Sequence, residues 1–179
     1  MLISAEESCL MVIDVQEKLV PAMCGMDPVI ENIRILMLAA AKLSVPVLVS
    51  EQYPKGLGHT IAELSSLAED VPCEKISFSG LAEAGFATRF HNLGRRQVVM
   101  VGIEAHVCVL QTSMQLLSRG VRVFVVADAT TSRTDKNHDL ALQRLAAAGA
   151  VIVSTEMVVF EWLERAGTDE FKELSKLIR

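Results

Sequence analysis

Short runs of apolar, often β-branched residues alternate along this chain with stretches whose apolar positions recur every three or four residues. That alternation is the pattern of parallel strands joined by helical crossovers. Cys9 to Val15, Val45 to Ser50, Cys73 to Phe78, Gln97 to Val101, Val121 to Ala127 and Val151 to Ser154 read as six strands. Helices are expected at Val29 to Leu43, Phe86 to Leu93, Ala105 to Arg119 and Asp135 to Ala148, with a weaker helical patch at Ile61 to Leu67. Gly94, Gly120 and Gly149 stand where helices commonly end on a left-handed residue. Gln52 to Gly58 contains Pro54, Gly56 and Gly58 and reads as a loop. Two further helical stretches follow Glu156, around Phe160-Glu161-Trp162-Leu163 and Phe171 to Leu177.

No repeat, low-complexity segment or linker interrupts the pattern, so residues 1–179 are expected to form a single domain. The expected architecture is α/β: a doubly wound, mainly parallel, Rossmann-like six-stranded sheet in the order 3-2-1-4-5-6 with helices on both faces. Such a sheet binds ligands outside the carboxyl ends of strands one and four, where the strand order reverses.

Composition narrows the function classes. Apolar residues make up 51% of the chain, enough to cover both faces of a sheet, but the longest apolar stretch is broken by Lys42 before it could span a bilayer. The N-terminus carries Glu6 and Glu7 where a secretory signal needs basic residues, so a cytoplasmic protein is expected. With 22 acidic against 17 scattered basic residues, the net charge of −5 argues against nucleic acid as a partner. Cys9, Cys24, Cys73 and Cys108 lie far apart with no Cys-x-x-Cys, which favours reduced thiols over a disulfide or zinc framework.

The candidate chemistry sits at strand ends. Asp14 closes the first strand, Lys75 lies in the third, and Cys108 opens the helix after the fourth. A thiol in the first turns of a helix faces unpaired N–H groups and the positive end of the macrodipole, and these are expected to draw its pKa below the ordinary value of about 8.5. Taken alone, Cys108 also fits a small core residue, Asp14 a turn former and Lys75 an edge residue. Together they supply a proton acceptor, a charge partner and a nucleophile. His106, two residues before Cys108, points roughly 200° away on a helix and is assigned a structural or interface role. Arg133 and His138 either reach the pocket mouth or begin the fifth helix.

These residues resemble the isochorismatase-like cysteine hydrolase superfamily, which includes nicotinamidases and N-carbamoylsarcosine amidases. Val12-Ile13-Asp14-Val15-Gln16 is similar to its first catalytic block, Glu74-Lys75-Ile76-Ser77-Phe78-Ser79 to its lysine block, and Gly102-Ile103-Glu104-Ala105-His106-Val107-Cys108-Val109 to its nucleophile block. The resemblance implies Asp14 as base, Lys75 as electrostatic partner and Cys108 as nucleophile. It further implies a cis peptide between Ile103 and Glu104, an oxyanion hole of the Glu104 and Cys108 backbone N–H groups, and pocket candidates Gln16, Tyr53 and Phe78. A homo-oligomer acting on a small-molecule substrate, with no cofactor and no membrane association, is expected, and Phe160 and Trp162 are expected to cover the sheet or a subunit contact.

One departure bears on metal. Metal-binding nicotinamidases carry an Asp-x-His block and a later His after strand two, whereas this chain reads Ser50-Glu51-Gln52 and, further on, His59. Glu51 and His59 are two ligands where a catalytic zinc usually takes three, so no metal is expected. The true isochorismatases resemble the chain in fold but lack the cysteine. The blocks containing Glu51 to Gly58 and Gly102 to Cys108 look most like the isochorismatase domain-containing subgroup. The leading expectation is a metal-independent cysteine hydrolase that cleaves a small amide or related carbonyl compound through a thioester. The alternative is a catalytically silent scaffold or interaction protein with a redox-sensitive cysteine.

Overall fold

The computed structural model describes residues 1–178. Six strands, β1 (Ser8–Ile13), β2 (Val47–Gln52), β3 (Cys73–Lys75), β4 (Gln97–Gly102), β5 (Arg122–Thr130) and β6 (Val151–Val153), form one sheet in the order β3-β2-β1-β4-β5-β6. Every neighbouring pair is parallel. This is the order expected of the doubly wound architecture.

All six residues of β1 and of β4 are buried, as a parallel sheet covered on both faces requires. The side-chain alternation sorts them. Leu10, Val12, Val99, Val101, Phe124 and Val126 enter one core layer with α1 (Met26–Lys42), α3 (Ala62–Ser65), α7 (Thr155–Leu163) and α8 (Asp169–Leu174). Cys9, Met11, Ile13, Val98, Met100 and Val125 enter the other, with α4 (Ala84–Leu93), α5 (Leu110–Ser118) and α6 (Asp135–Ala147). Ile33, Ile35 and Leu36 of α1 are buried, while Ile30 and Leu38 lie at the margin of the layer. Trp162 is buried and its indole N–H donates to Ser8 Oγ at 3.3 Å, whereas Phe160 is exposed near Phe171.

Three local features differ from the pattern. The loop after β2 begins with a single helical turn, α2 (Pro54–Leu57), started by Pro54. Strand β3 stops at Lys75 instead of reaching Phe78, because the chain turns so that the Ser77 and Phe78 carbonyls face back toward the Lys75 ammonium. Before α5 comes a wide π-type turn, Ala105–Val109, in which Val109 N–H reaches the Glu104 carbonyl five residues back at 3.3 Å. Such turns recur at functional sites. Among the described residues no helix is long and apolar enough to cross a membrane, and all four cysteines are free thiols.

Candidate active site

The carboxyl ends of β1, β3 and β4 bring Asp14, Lys75 and Cys108 into one buried cluster. Asp14 follows β1 directly with φ 53°. Beside it, Gly102 ends β4 with φ 107°, in register with Ile13. A Cβ on Gly102 would fall on the Ile13 carbonyl oxygen and 2.6 Å from the Ile13 nitrogen, so only glycine lets the two backbones lie this close. The peptide between Ile103 and Glu104 is cis, as the resemblance implies. Ile103 N–H donates to the Ile13 carbonyl at 2.8 Å, and Ala105 N–H to the Thr131 carbonyl at 2.8 Å. The Val107 and Val109 N–H groups both donate to the Glu104 carbonyl, whereas among the described residues the Glu104 N–H finds no backbone acceptor.

Lys75 and Asp14 belong to strands separated by β2, so the lysine must reach over that strand. Its four-methylene stem does so, and the ammonium stands 2.7 Å from Asp14 Oδ2 with both side chains out of solvent. The ammonium also donates to Gln52 Oε1 at 2.6 Å and to the Phe78 and Ser77 carbonyls at 3.2 and 3.4 Å. Asp14 Oδ1 accepts from Ser50 Oγ at 2.7 Å. Oδ2 accepts no aligned hydrogen bond, so its contact with Lys75 is coulombic and a lone pair remains open.

Cys108 lies on the π-type turn, 7% exposed. Burial and then the negative charge of Asp14 push its thiol up to about 12, against the opposing pull of Lys75. This overturns the expected depression at a helix start. The helix-end effect is worth about 1 kcal/mol at most exposed sites, and burial beside a carboxylate outweighs it. The resting site is therefore a neutral thiol next to an ion pair.

The other predicted residues fall around this centre. Gln16 is fully buried, and its amide is spent: Oε1 accepts from Gln52 N–H at 2.7 Å, and Nε2 donates to the Gln52 and Gly58 carbonyls at 3.0 and 2.7 Å. Tyr53, with φ 40°, is half exposed with its ring against Gly56, beside a cleft of about 310 Å³ shared with Ile76 and Glu83. Phe78 is half exposed. Arg133 forms a forked pair with Glu104, Nη2 to Oε1 at 2.6 Å and Nε to Oε2 at 2.8 Å. Burial pushes the Glu104 carboxyl up, but the Arg133 hydrogen bonds and charge hold it below the usual value. His106 Nδ1 lies 2.9 Å from Ser132 Oγ, and His138 Nε2 lies 3.1 Å from Thr130 Oγ1.

Glu51 and His59 do meet, at 3.0 Å. The Glu51 carboxylate also accepts from the Thr60 N–H and hydroxyl at 2.7 and 2.8 Å. Among the described residues no three His, Cys, Asp or Glu side chains cluster closely enough to hold a metal ion.

Ser50 and Gln52 were not singled out by the sequence as parts of the site. Their signal was a strand that closes on three polar residues, Ser50-Glu51-Gln52, of which the first and third share one face. That is the pair that grips Asp14 and Lys75.

Comparison with known proteins identifies the family and the fold. The isochorismatase domain family model matches residues 8–157. The secreted isochorismatase effector Isc1 of Phytophthora sojae is 41% identical, over 96% of this chain and 84% of its own length. Isochorismatase domain-containing protein 2 of Danio rerio is 37% identical, over 98% of this chain and 89% of its own. Among solved structures, the MAR1 ribonuclease of Caenorhabditis elegans superposes with a TM-score of 0.92 at 38% identity, covering 99% of this chain and 92% of that one.

Proposed function

Starting from a chain that belongs to the isochorismatase family of hydrolase folds, we propose that it is a metal-independent cysteine hydrolase acting on a small amide or related carbonyl compound. One observation carries the reading: a buried Asp14–Lys75 ion pair at 2.7 Å whose charges both act on the Cys108 thiol. Cys108 Sγ attacks the carbonyl carbon as its proton passes to Asp14. The oxyanion of the tetrahedral intermediate is met by the Glu104 and Cys108 N–H groups. Asp14 returns the proton to the departing nitrogen, leaving a thioester, and then takes a proton from the water that releases the acid and restores the thiol. Lys75 holds the carboxylate and offsets the charge that develops on sulfur. Because Cys108 is held neutral at rest, it becomes nucleophilic only as Asp14 accepts its proton.

The same neutral, enclosed thiol disfavours a redox sensor, which needs an accessible thiolate. The free cysteines support a reducing, cytoplasmic setting. The exposed Met157 and Phe160 of α7 support self-association as a homo-oligomer, to be read by light scattering.

The test is release of ammonia or amine from a panel of small amides. Turnover by the native chain, lost in Cys108→Ala and kept in alanine variants of Cys9, Cys24 and Cys73, supports the reading. Turnover by a pure Cys108→Ala preparation removes it.

A further inference from the structure

The buried carboxylates at the thiol, Asp14 and Glu104, each have a cationic partner. Lys75 faces Asp14, and its other donors are taken by Gln52, Phe78 and Ser77. Arg133 is forked onto Glu104. His106 is engaged by Ser132 and His138 by Thr130. Of the lysines on adjoining loops, Lys18 is exposed with its ammonium on the Gly56 carbonyl, and Lys55 is exposed beside the cleft that also holds Glu74 and Glu83. Among the described residues, no buried cation of the cluster is left over to receive an anion, and the two exposed lysines stand outside it.

From this pairing we infer that the site selects an uncharged substrate, a neutral amide with an apolar body, and discriminates against carboxylate- or phosphate-bearing compounds. The inference rests on the hydrolase reading of the same site and narrows it. An anionic substrate would bring a second negative charge beside Asp14, at a sulfur that must itself become negative, without a free buried guanidinium or ammonium to offset either, while Lys55 at the cleft is faced by Glu74 and Glu83. Like charges this close in a buried site repel strongly. A neutral amide asks only for the N–H donors at the turn, and the half-exposed Phe78 and Tyr53 offer apolar surface to its body. One similar protein carries the name ribonuclease, and RNA is a polyanion, so an uncharged substrate separates this chain's chemistry from what that name describes.

Two isosteric alkylating probes test the charge preference without a known substrate. Iodoacetamide and iodoacetate react alike: sulfur displaces iodide from the CH₂ carbon and the thiol proton is released. Adducts at Cys108 are counted by peptide mass spectrometry, and the ratio of the two rates is divided by the same ratio for 2-mercaptoethanol. The expected normalised preference for iodoacetamide is about tenfold or more, the size of one pKa unit of differential interaction. In Glu104→Gln, which frees the Arg133 guanidinium, the preference should fall toward that of the free thiol. A normalised ratio at or below one in the native chain overturns the inference. A parallel arm compares hydrolysis of butanamide with that of succinamate, the same chain ending in a carboxylate. Faster turnover of butanamide supports the inference, and preference for succinamate, or cleavage of RNA, overturns it. If neither amide nor RNA is turned over while iodoacetamide is still preferred, the hydrolase reading fails and the charge selectivity stands.

Discussion

The Lys75 ammonium meets Asp14 Oδ2 at 2.7 Å across the full width of strand β2, with neither side chain exposed. A buried pair of this kind is weak evidence for stability, because desolvation consumes most of the attraction, yet breaking it is costly because the surviving charge has no partner. Lys75→Met should therefore destabilise the fold by about 3–5 kcal/mol. Adding Asp14→Asn to it should recover part of that loss. Denaturant melts of the two single variants and the double variant decide the matter, and strictly additive losses would show that the charges do not depend on each other.

The thiol gives opposite signs for the two partners. Burial and Asp14 raise the Cys108 pKa to about 12 and Lys75 opposes them, so alkylation should be slow near pH 7 and climb well past the range of an ordinary thiol. Asp14→Asn removes a raising charge and should move the midpoint down, so that the variant alkylates faster at pH 8–9 while hydrolysis is lost for want of a base. Lys75→Met removes the lowering charge and should move the midpoint up. A profile unchanged in both variants would show that the cluster does not act on the sulfur.

Ser50 controls which carboxylate oxygen is open. Its hydroxyl caps Oδ1 at 2.7 Å and leaves Oδ2 for the thiol proton. Ser50→Ala should lower kcat by about 10- to 100-fold with little change in KM, as expected for loss of a buried hydrogen bond to a charge worth roughly 1.5–3 kcal/mol. Ser50→Thr keeps the hydroxyl and should restore part of kcat. Equal kcat in the alanine and threonine variants would reduce Ser50 to a packing residue.

Metal removal should leave turnover intact. Glu51 is occupied by Thr60 and His59, and the neighbouring Ser50 and Gln52 bond to Asp14 and Lys75. Activity should survive exhaustive chelation, with far less than one equivalent of transition metal in the purified chain. Activity lost on chelation and regained with zinc or iron would reverse this.

What the sequence revealed follows from what is local in it. The strands could be located because fully buried parallel strands, such as Val98 to Val101, are apolar without interruption, and their order is the common one of a doubly wound sheet. Asp14 and Cys108 could be placed because they adjoin such strands. The direction of the Cys108 shift could not, because a helix start is visible in sequence whereas 7% exposure and a carboxylate contributed by a strand 94 residues earlier are tertiary facts. The same holds for Gln16, which has the look of a pocket residue but spends its whole amide on Gln52 and Gly58. The turn that ends β3 early at Lys75 is likewise set by the ammonium's need for the Ser77 and Phe78 carbonyls, a demand that no periodicity expresses.

Gly102 separates steric from conformational cost. Both Gly102 and Gly94 have positive φ, 107° and 63°. A Cβ on Gly94 would meet nothing within 4 Å, whereas one on Gly102 would strike the backbone of Ile13. Gly94→Ala should thus cost about 1 kcal/mol, the ordinary penalty of a left-handed residue with a side chain. Gly102→Ala adds a clash with a strand that cannot yield without moving Asp14, and should cost about 4 kcal/mol or more. For a chain of this length that difference lowers Tm by roughly 6–12 °C relative to Gly94→Ala. Even where Gly102→Ala still folds, Asp14 is displaced from Lys75, so alkylation of Cys108 should lose its dependence on Asp14. Equal melting temperatures for the two variants would mean that the approach of β4 to Ile13 is not the tight constraint on which the site is built.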